Sequence, residues 1–195
     1  MGCHAHGGGV GGGVADAAQT KADRSYAWGP LSALGLAVAV VTGIIDQASK
    51  LWLLYVFDLA GRARVAVTSF IDLVVTWNTG ISYGLFQQKG LFGIWALFAF
   101  KAAAIVFLWI WLARASSRLT AGALGLIIGG ALGNAVDRLH WPGVMDFVFF
   151  HIETASWSFR WYVFNLADMA IVAGVVGLLY DSLWAGAPQK RPDRG

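Results

Sequence analysis

Long apolar runs alternate with short polar stretches along this chain. Four runs stand out, from about Leu31 to Phe57, Leu91 to Ala113, Thr120 to Leu139 and Trp161 to Trp184. An α-helix rises about 1.5 Å per residue, so about 20 apolar residues cross the hydrocarbon layer of a bilayer. The pattern therefore predicts four transmembrane helices. The first run is too long for a cleavable signal peptide and lacks a small-residue cleavage end. Between the first two runs the pattern changes. The stretches 64–70 and 71–77 are rich in β-branched and aromatic residues and predict two or three short strands outside the membrane, within about residues 58–90. The two halves of the chain do not match, as they would in an inverted-repeat transporter.

Composition agrees with the pattern. Of 195 residues, 57% are hydrophobic and 13% charged, against about 25% charged in an ordinary soluble domain. The length suits one membrane domain, about 28–185, flanked by a Gly-, Ala- and His-rich tail at 1–27 that reads as disordered and a short tail at 186–195. No apolar run precedes Cys3, and His6 stands where N-myristoylation wants Ser or Thr. A net charge of +3, with no basic stripe among aromatics, points away from nucleic acid. Lys21, Arg24, Arg114, Arg118, Lys190, Arg191 and Arg194 fall on one side of a four-span topology. By the positive-inside rule both termini are cytoplasmic. Trp52, Trp77, Trp141, Trp157 and Trp161 then lie near the outer interface, and Trp28, Trp109, Trp111 and Trp184 near the inner one.

Ionisable groups inside a membrane are costly and usually functional. Asp46 and Lys50 stand four apart in the first run and share a helix face; a tolerated ion pair and a working pair both fit. Ser49 and Lys50 are adjacent on a helix and point apart, which makes a poor nucleophile–base pair. Asn78 and Gly80 follow a predicted strand, where Asn78 serves either as a turn residue or as a donor to a substrate carbonyl. In the third run Gly129 and Gly133 form a GxxxG packing motif, and Asn134, Asp137 and Arg138 cluster at its outer end. Asp146 follows the turn Trp141-Pro142-Gly143 and, taken alone, reads as an exposed loop aspartate. Asn165 and Asp168 share a face of the fourth run, which places Asp168 one and a half to two turns in, roughly 10 Å deep. Lys101 fits no constellation.

The third and fourth spans are consecutive, so their outer ends are neighbours and the loop between them can bring Asp146 beside Asp168. Two adjacent carboxyls share one proton. One then serves as base toward a water while the other is the acid toward a scissile carbonyl. Such hydrolysis needs no metal, and neither a metal nor an organic cofactor is expected. The His-Glu-x-x-His and Gly-x-Gly-Asp signatures of other peptidases do not occur. A transport relay through Asp46, Lys50 and Asp168 would spread polar groups across the membrane depth, whereas these cluster in the outer half. A non-catalytic binder of lipidated peptides would not need both Asp146 and Asp168.

Taken in order, Asp46-Gln47-x-Ser49-Lys50, Asn78-x-Gly80, Gly129-Gly130-Ala131-x-Gly133-Asn134-x-x-Asp137-Arg138, Val144-x-Asp146-Phe147 and Phe164-Asn165-x-Ala167-Asp168 resemble the motif set of the lipoprotein signal peptidases, over about residues 30–184. The resemblance implies a membrane all-α bundle of four transmembrane helices with a small extracytoplasmic β-cradle, in the bacterial inner membrane. It implies an aspartic endopeptidase that removes the signal peptide from diacylglyceryl-modified prolipoproteins just before the lipidated cysteine, with membrane lipids as its surroundings. It makes Asp146 and Asp168 the catalytic pair, and Asp46, Lys50, Asn78, Gly80, Asn134, Arg138 and Asn165 supporting or substrate-binding positions. Asp137 is expected to orient the helix end and Arg138. Ile81 and Tyr83 depart from the family pattern near Asn78, where small residues and Phe are common.

Overall fold

The computed structural model describes residues 27–79 and 91–185, without the side chains of 91–98, 101, 184 and 185. Both tails, Gly80, Ile81, Tyr83 and the Lys101 side chain thus lie outside the described residues. The elements run α1 (Ser32–Tyr55), a 3₁₀ turn (Leu59–Gly61), β1 (Val65–Ala66), β2 (Ile71–Asn78), α2 (Leu91–Ala113), α3 (Arg118–His140), β3 (Val144–Glu153), β4 (Ser158–Phe164) and α4 (Leu166–Ala185).

Among the described residues α1, α3 and α4 are long and apolar enough to cross a membrane, and α2 contributes a shorter apolar stretch, Ala102–Ala113. Val40, Val41, Ile44 and Ile45 on α1 and Val172, Val175, Val176, Leu179 and Leu183 on α4 are exposed. In water such continuous apolar faces would aggregate; against lipid tails they cost nothing.

Helix α3 packs between α1 and α4, and its glycines set how close they come. A Cβ on Gly129 would lie 2.5 Å from the Ala39 carbonyl oxygen of α1, and one on Gly130 would lie 2.5 Å from the Ala167 carbonyl oxygen of α4. The expected GxxxG motif therefore works on α1, and Gly130 seats the first turn of α4.

The sheet is antiparallel in the order β1-β2-β3-β4. Only β1 and β2 lie in the segment expected to hold strands. The other half comes from residues between α3 and α4, where the apolar character of the fourth run hid a boundary. Residues 158–164 are mostly aromatic and extended, and helix begins at Leu166 rather than Trp161. Asn165 draws that line, as its side-chain oxygen accepts the Asp168 amide at 3.0 Å, the interaction of a helix N-cap.

Two cores result. Ala39, Leu112, Ala121, Leu124 and Ile128 pack within the helices. Leu53, Leu59, Met145 and Phe147 pack where the sheet meets the end of α1. Burying Met145 and Phe147 contributes about 1.5–3 kcal/mol each and fixes the face that β3 turns to α1. Since strand side chains alternate, Asp146 faces the other way. Trp77 and Trp141 lie 6.1 Å apart at the sheet end, and Trp28 and Trp109 lie 6.0 Å apart at the opposite end.

Candidate active site

Asp146 is the third residue of β3, a strand paired on both sides, with Thr76 opposite it on β2. It is not an exposed loop residue: only 3% of it is accessible. The sequence around it is apolar on both sides, so the strand buries it together with Val144, Met145 and Phe147. Asn78 donates to its Oδ2 at 3.3 Å and Asn165 to its Oδ1 at 2.7 Å. Burial pushes this carboxyl up and the nearby Asp168 charge adds to the rise. The hydrogen bonds from Asn78 and Asn165 and the charge of Lys50 pull it back, leaving it at about 6.

Asp168 is the third residue of α4, not one and a half to two turns in. Asn165 and Asp168 form a reciprocal cap. The Asp168 amide donates to Asn165 Oδ1 at 3.0 Å, and the Asn165 amide donates to Asp168 Oδ2 at 3.2 Å. This capping box fixes the carboxyl's rotamer and holds it at the mouth of the helix bundle. The signature Asn-x-x-Asp before an apolar run was present in the sequence and marks this helix start. Asn134, from α3, donates to the other carboxylate oxygen, Oδ1, at 2.9 Å.

The two aspartates therefore flank one asparagine. The Asn165 Nδ2 group reaches Asp146 at 2.7 Å, Asn134 Oδ1 at 3.1 Å and the Met145 carbonyl at 3.3 Å. The side-chain contacts of Asn165 thus serve the pair or its neighbours. Arg138 donates to the Asn134 carbonyl oxygen at 2.9 Å, one turn back along α3, so its guanidinium stands at the same end of the bundle.

Beneath this lies a second layer, fully buried. Lys50 Nζ is 2.7 Å from Asp46 Oδ2, 2.8 Å from Asp137 Oδ2 and 3.4 Å from Asn134 Oδ1. The predicted pairing of Asp46 with Lys50 is present, and it is a triad. Asp137 does not orient Arg138 through a hydrogen bond. Its carboxylate accepts from Lys50, from Gln47 Nε2 at 2.7 Å and from the Met145 amide at 3.0 Å. Gln47 also donates to the Gly133 carbonyl at 3.0 Å, a bracing role not evident in the sequence. Its place in the first motif, one residue after Asp46, was the hint. A second unforeseen cluster joins the strands: Arg64 and His151 both engage Asp72. Among the described residues no group of His, Cys, Asp and Glu is arranged to hold a metal ion.

The resemblance read from the sequence is matched by three comparisons. The family model described as signal peptidase (SPase) II matches residues 38–184. A lipoprotein signal peptidase of Rhodopseudomonas palustris (strain TIE-1) is 59% identical over 155 residues, which cover 80% of this chain and 94% of the relative. One from Nitrobacter hamburgensis is 56% identical over 158 residues, covering 81% and 96%. A bacterial membrane enzyme solved by the in meso method at 2.3 Å shares the fold, with a TM-score of 0.61 at 22% identity over 84% of this chain and 95% of that one. With most of its length matched and the described polar motif residues gathered at one end of the bundle, this chain belongs to the signal peptidase II family of membrane peptidases.

Proposed function

We propose that this peptidase is an aspartic endopeptidase that cleaves diacylglyceryl-modified prolipoproteins just before the lipidated cysteine, with Asp146 and Asp168 sharing the chemistry. The observation that carries this reading is the single asparagine, Asn165, bonded to Asp146 through its side chain and to Asp168 through both its side chain and its amide. A buried carboxyl that titrates near 6, beside a second carboxyl, suits a pair that holds one proton between them.

In this mechanism the ionised aspartate takes a proton from water as the water oxygen attacks the scissile carbonyl carbon. The protonated aspartate gives its proton to the carbonyl oxygen. Collapse of the tetrahedral intermediate breaks the C–N bond, and a proton passes from the dyad to the leaving amine of the cysteine. Asn78 and Asn134 keep the carboxyls in place, and Arg138 faces the substrate. Four crossings, with both termini in the cytoplasm, put the dyad and the sheet at the outer side of the membrane. A lipid-modified cysteine is delivered there within the leaflet.

The test is a gel-shift assay with the purified protein and a diacylglyceryl-modified prolipoprotein, wild type beside Asp146→Asn and Asp168→Asn. Cleavage by wild type alone is expected. Turnover by either variant would remove the dyad assignment, and binding without cleavage by wild type would make the protein a carrier of lipidated peptides.

A further inference from the structure

The Asp46–Lys50–Asp137 triad is more elaborate than charge balance requires. Lys50 is completely buried, as are both carboxylates. An ammonium has three protons, and here all three have acceptors: Asp46, Asp137 and Asn134. Buried ion pairs contribute little net stability, and apolar residues of similar size often serve a fold as well. The remaining contacts of the two carboxylates show what the triad holds. Asp46 Oδ1 accepts the backbone N–H of Ala167 at 3.0 Å, and Asp137 Oδ2 accepts the backbone N–H of Met145 at 3.0 Å. Ala167 immediately precedes Asp168, and Met145 immediately precedes Asp146.

The symmetry is specific. Ala167 is the second residue of α4, where the amide has no partner within its own helix. Asp46 supplies that partner from α1, 121 residues away in sequence. Met145 stands at the start of β3, just past the turn out of α3, and Asp137 supplies its partner from α3. Lys50 ties the two carboxylates together. A continuous chain of polar contacts thus runs from the residue before one aspartate to the residue before the other, through a single ammonium.

We propose that Lys50 is a positioning residue, which through Asp46 and Asp137 sets the separation of the two backbone segments that carry Asp168 and Asp146. This rests on the dyad reading above. Lys50 does not touch the substrate. It acts on turnover by keeping the carboxyls at the spacing that lets them share a proton and one water. Gln47 braces the same device by bonding Asp137 and the Gly133 carbonyl.

The test uses Lys50→Met, which keeps the unbranched stem as far as Cε and removes the ammonium, in the whole chain with diacylglyceryl-modified prolipoprotein as substrate. Misplacing a reacting group by about 1 Å costs about 100-fold. The expected result is a kcat about 100-fold lower per folded molecule, with KM within a few-fold of wild type. The pH profile of kcat also moves to higher pH, because the Lys50 charge that holds the Asp146 carboxyl down is gone. Asp46, Asp137, Arg138 and Asp168, the other charged groups at this site, are left in place. An unchanged kcat and pH profile with only a lower melting temperature would overturn the proposal, as the triad would then be structural.

The double variant Asp46→Asn/Lys50→Met removes one charge of each sign and so relieves one of the two carboxylates that lose Lys50, which lets it carry the test if the single variant does not fold. It is expected to fold and to remain about 100-fold slow. Recovery to within a few-fold of wild type would show that charge balance alone was needed and would overturn the positioning role. Asp168→Asn run alongside separates the two levels. If it turns over, the dyad reading fails and this proposal with it. If it is inactive while Lys50→Met matches wild type, the positioning role alone fails.

Discussion

Asn165→Ser is the substitution that most directly probes the geometry at the candidate site. Serine is as good an N-cap as asparagine, so the first turn of α4 keeps its start and the Asp168 amide keeps an acceptor. The shorter side chain cannot span to Asp146, to Asn134 or to the Met145 carbonyl, which Asn165 Nδ2 reaches at 2.7, 3.1 and 3.3 Å. A hydrogen bond to a charged acceptor contributes about 1.5–3 kcal/mol and a neutral one about 1 kcal/mol. Loss of the first with partial loss of the others gives a destabilisation of about 2–4 kcal/mol. Asn165→Ala loses the cap as well and should cost about 1 kcal/mol more. The larger effect is on turnover: with Asp146 no longer tied to the residue that orients Asp168, kcat should fall about 100-fold at nearly constant KM. Because the Asn165 hydrogen bond holds the Asp146 carboxyl down, its loss should also move the pH profile of kcat upward. The assay is single-substrate cleavage kinetics from pH 5 to 8, with folded fraction measured by thermal melting in detergent. If Asn165→Ser cleaves at near the wild-type rate per folded molecule, the asparagine is only a helix cap and the bridge does not organise the pair.

Stability should carry the signature of Asp146. Its carboxyl titrates higher in the fold, at about 6, than the ordinary aspartate value of 3.8, so the protonated form favours folding. That contribution is full below about 3.8 and is lost as pH rises through about 6, a change of at most about 3 kcal/mol. The melting temperature of wild type relative to Asp146→Asn should therefore fall between pH 4 and 7, and a difference that rises over that range would contradict the burial argument. Gly133→Ala places a Cβ 2.7 Å from Asp46 Oδ2 and should cost about 1–3 kcal/mol while slowing turnover. Gly122→Ala meets nothing within 4 Å and should be neutral or stabilise by up to about 1 kcal/mol; equal melting shifts for the two would rule out the close approach. Thr120→Val removes a hydrogen bond to Asp181 at the far end of α3. It should lower stability by about 1–2 kcal/mol and leave kcat per folded molecule unchanged, and a slower kcat would show coupling along the helix.

Much of the site was legible because several of its spacings are helical. Asp46 and Lys50, four apart, had to meet on one face, and they do at 2.7 Å. The mispositioned fourth helix has an equally local cause. Residues 161–164 are aromatic and apolar, and hydropathy does not distinguish a strand lying against a bundle from the first turns of a helix. The Asn165 cap does distinguish them, and its signature lies in only two residues.

The sequence by itself determined that this chain needs a membrane, since its apolar runs are too long and too many for a small soluble core, and it named the two aspartates together with most of the polar groups around them. Only the tertiary structure decided that Asp146 is buried in a central strand rather than exposed in a loop, because burial depends on what β2, β4 and α4 place around it. Only the tertiary structure, likewise, joined Lys50 to Asp137 and Gln47 to Asp137, the latter pair 90 residues apart. Those contacts require α1 and α3 to lie nearly backbone to backbone, and that distance is set by glycines whose missing side chains carry no signal of their partners until the helices are packed.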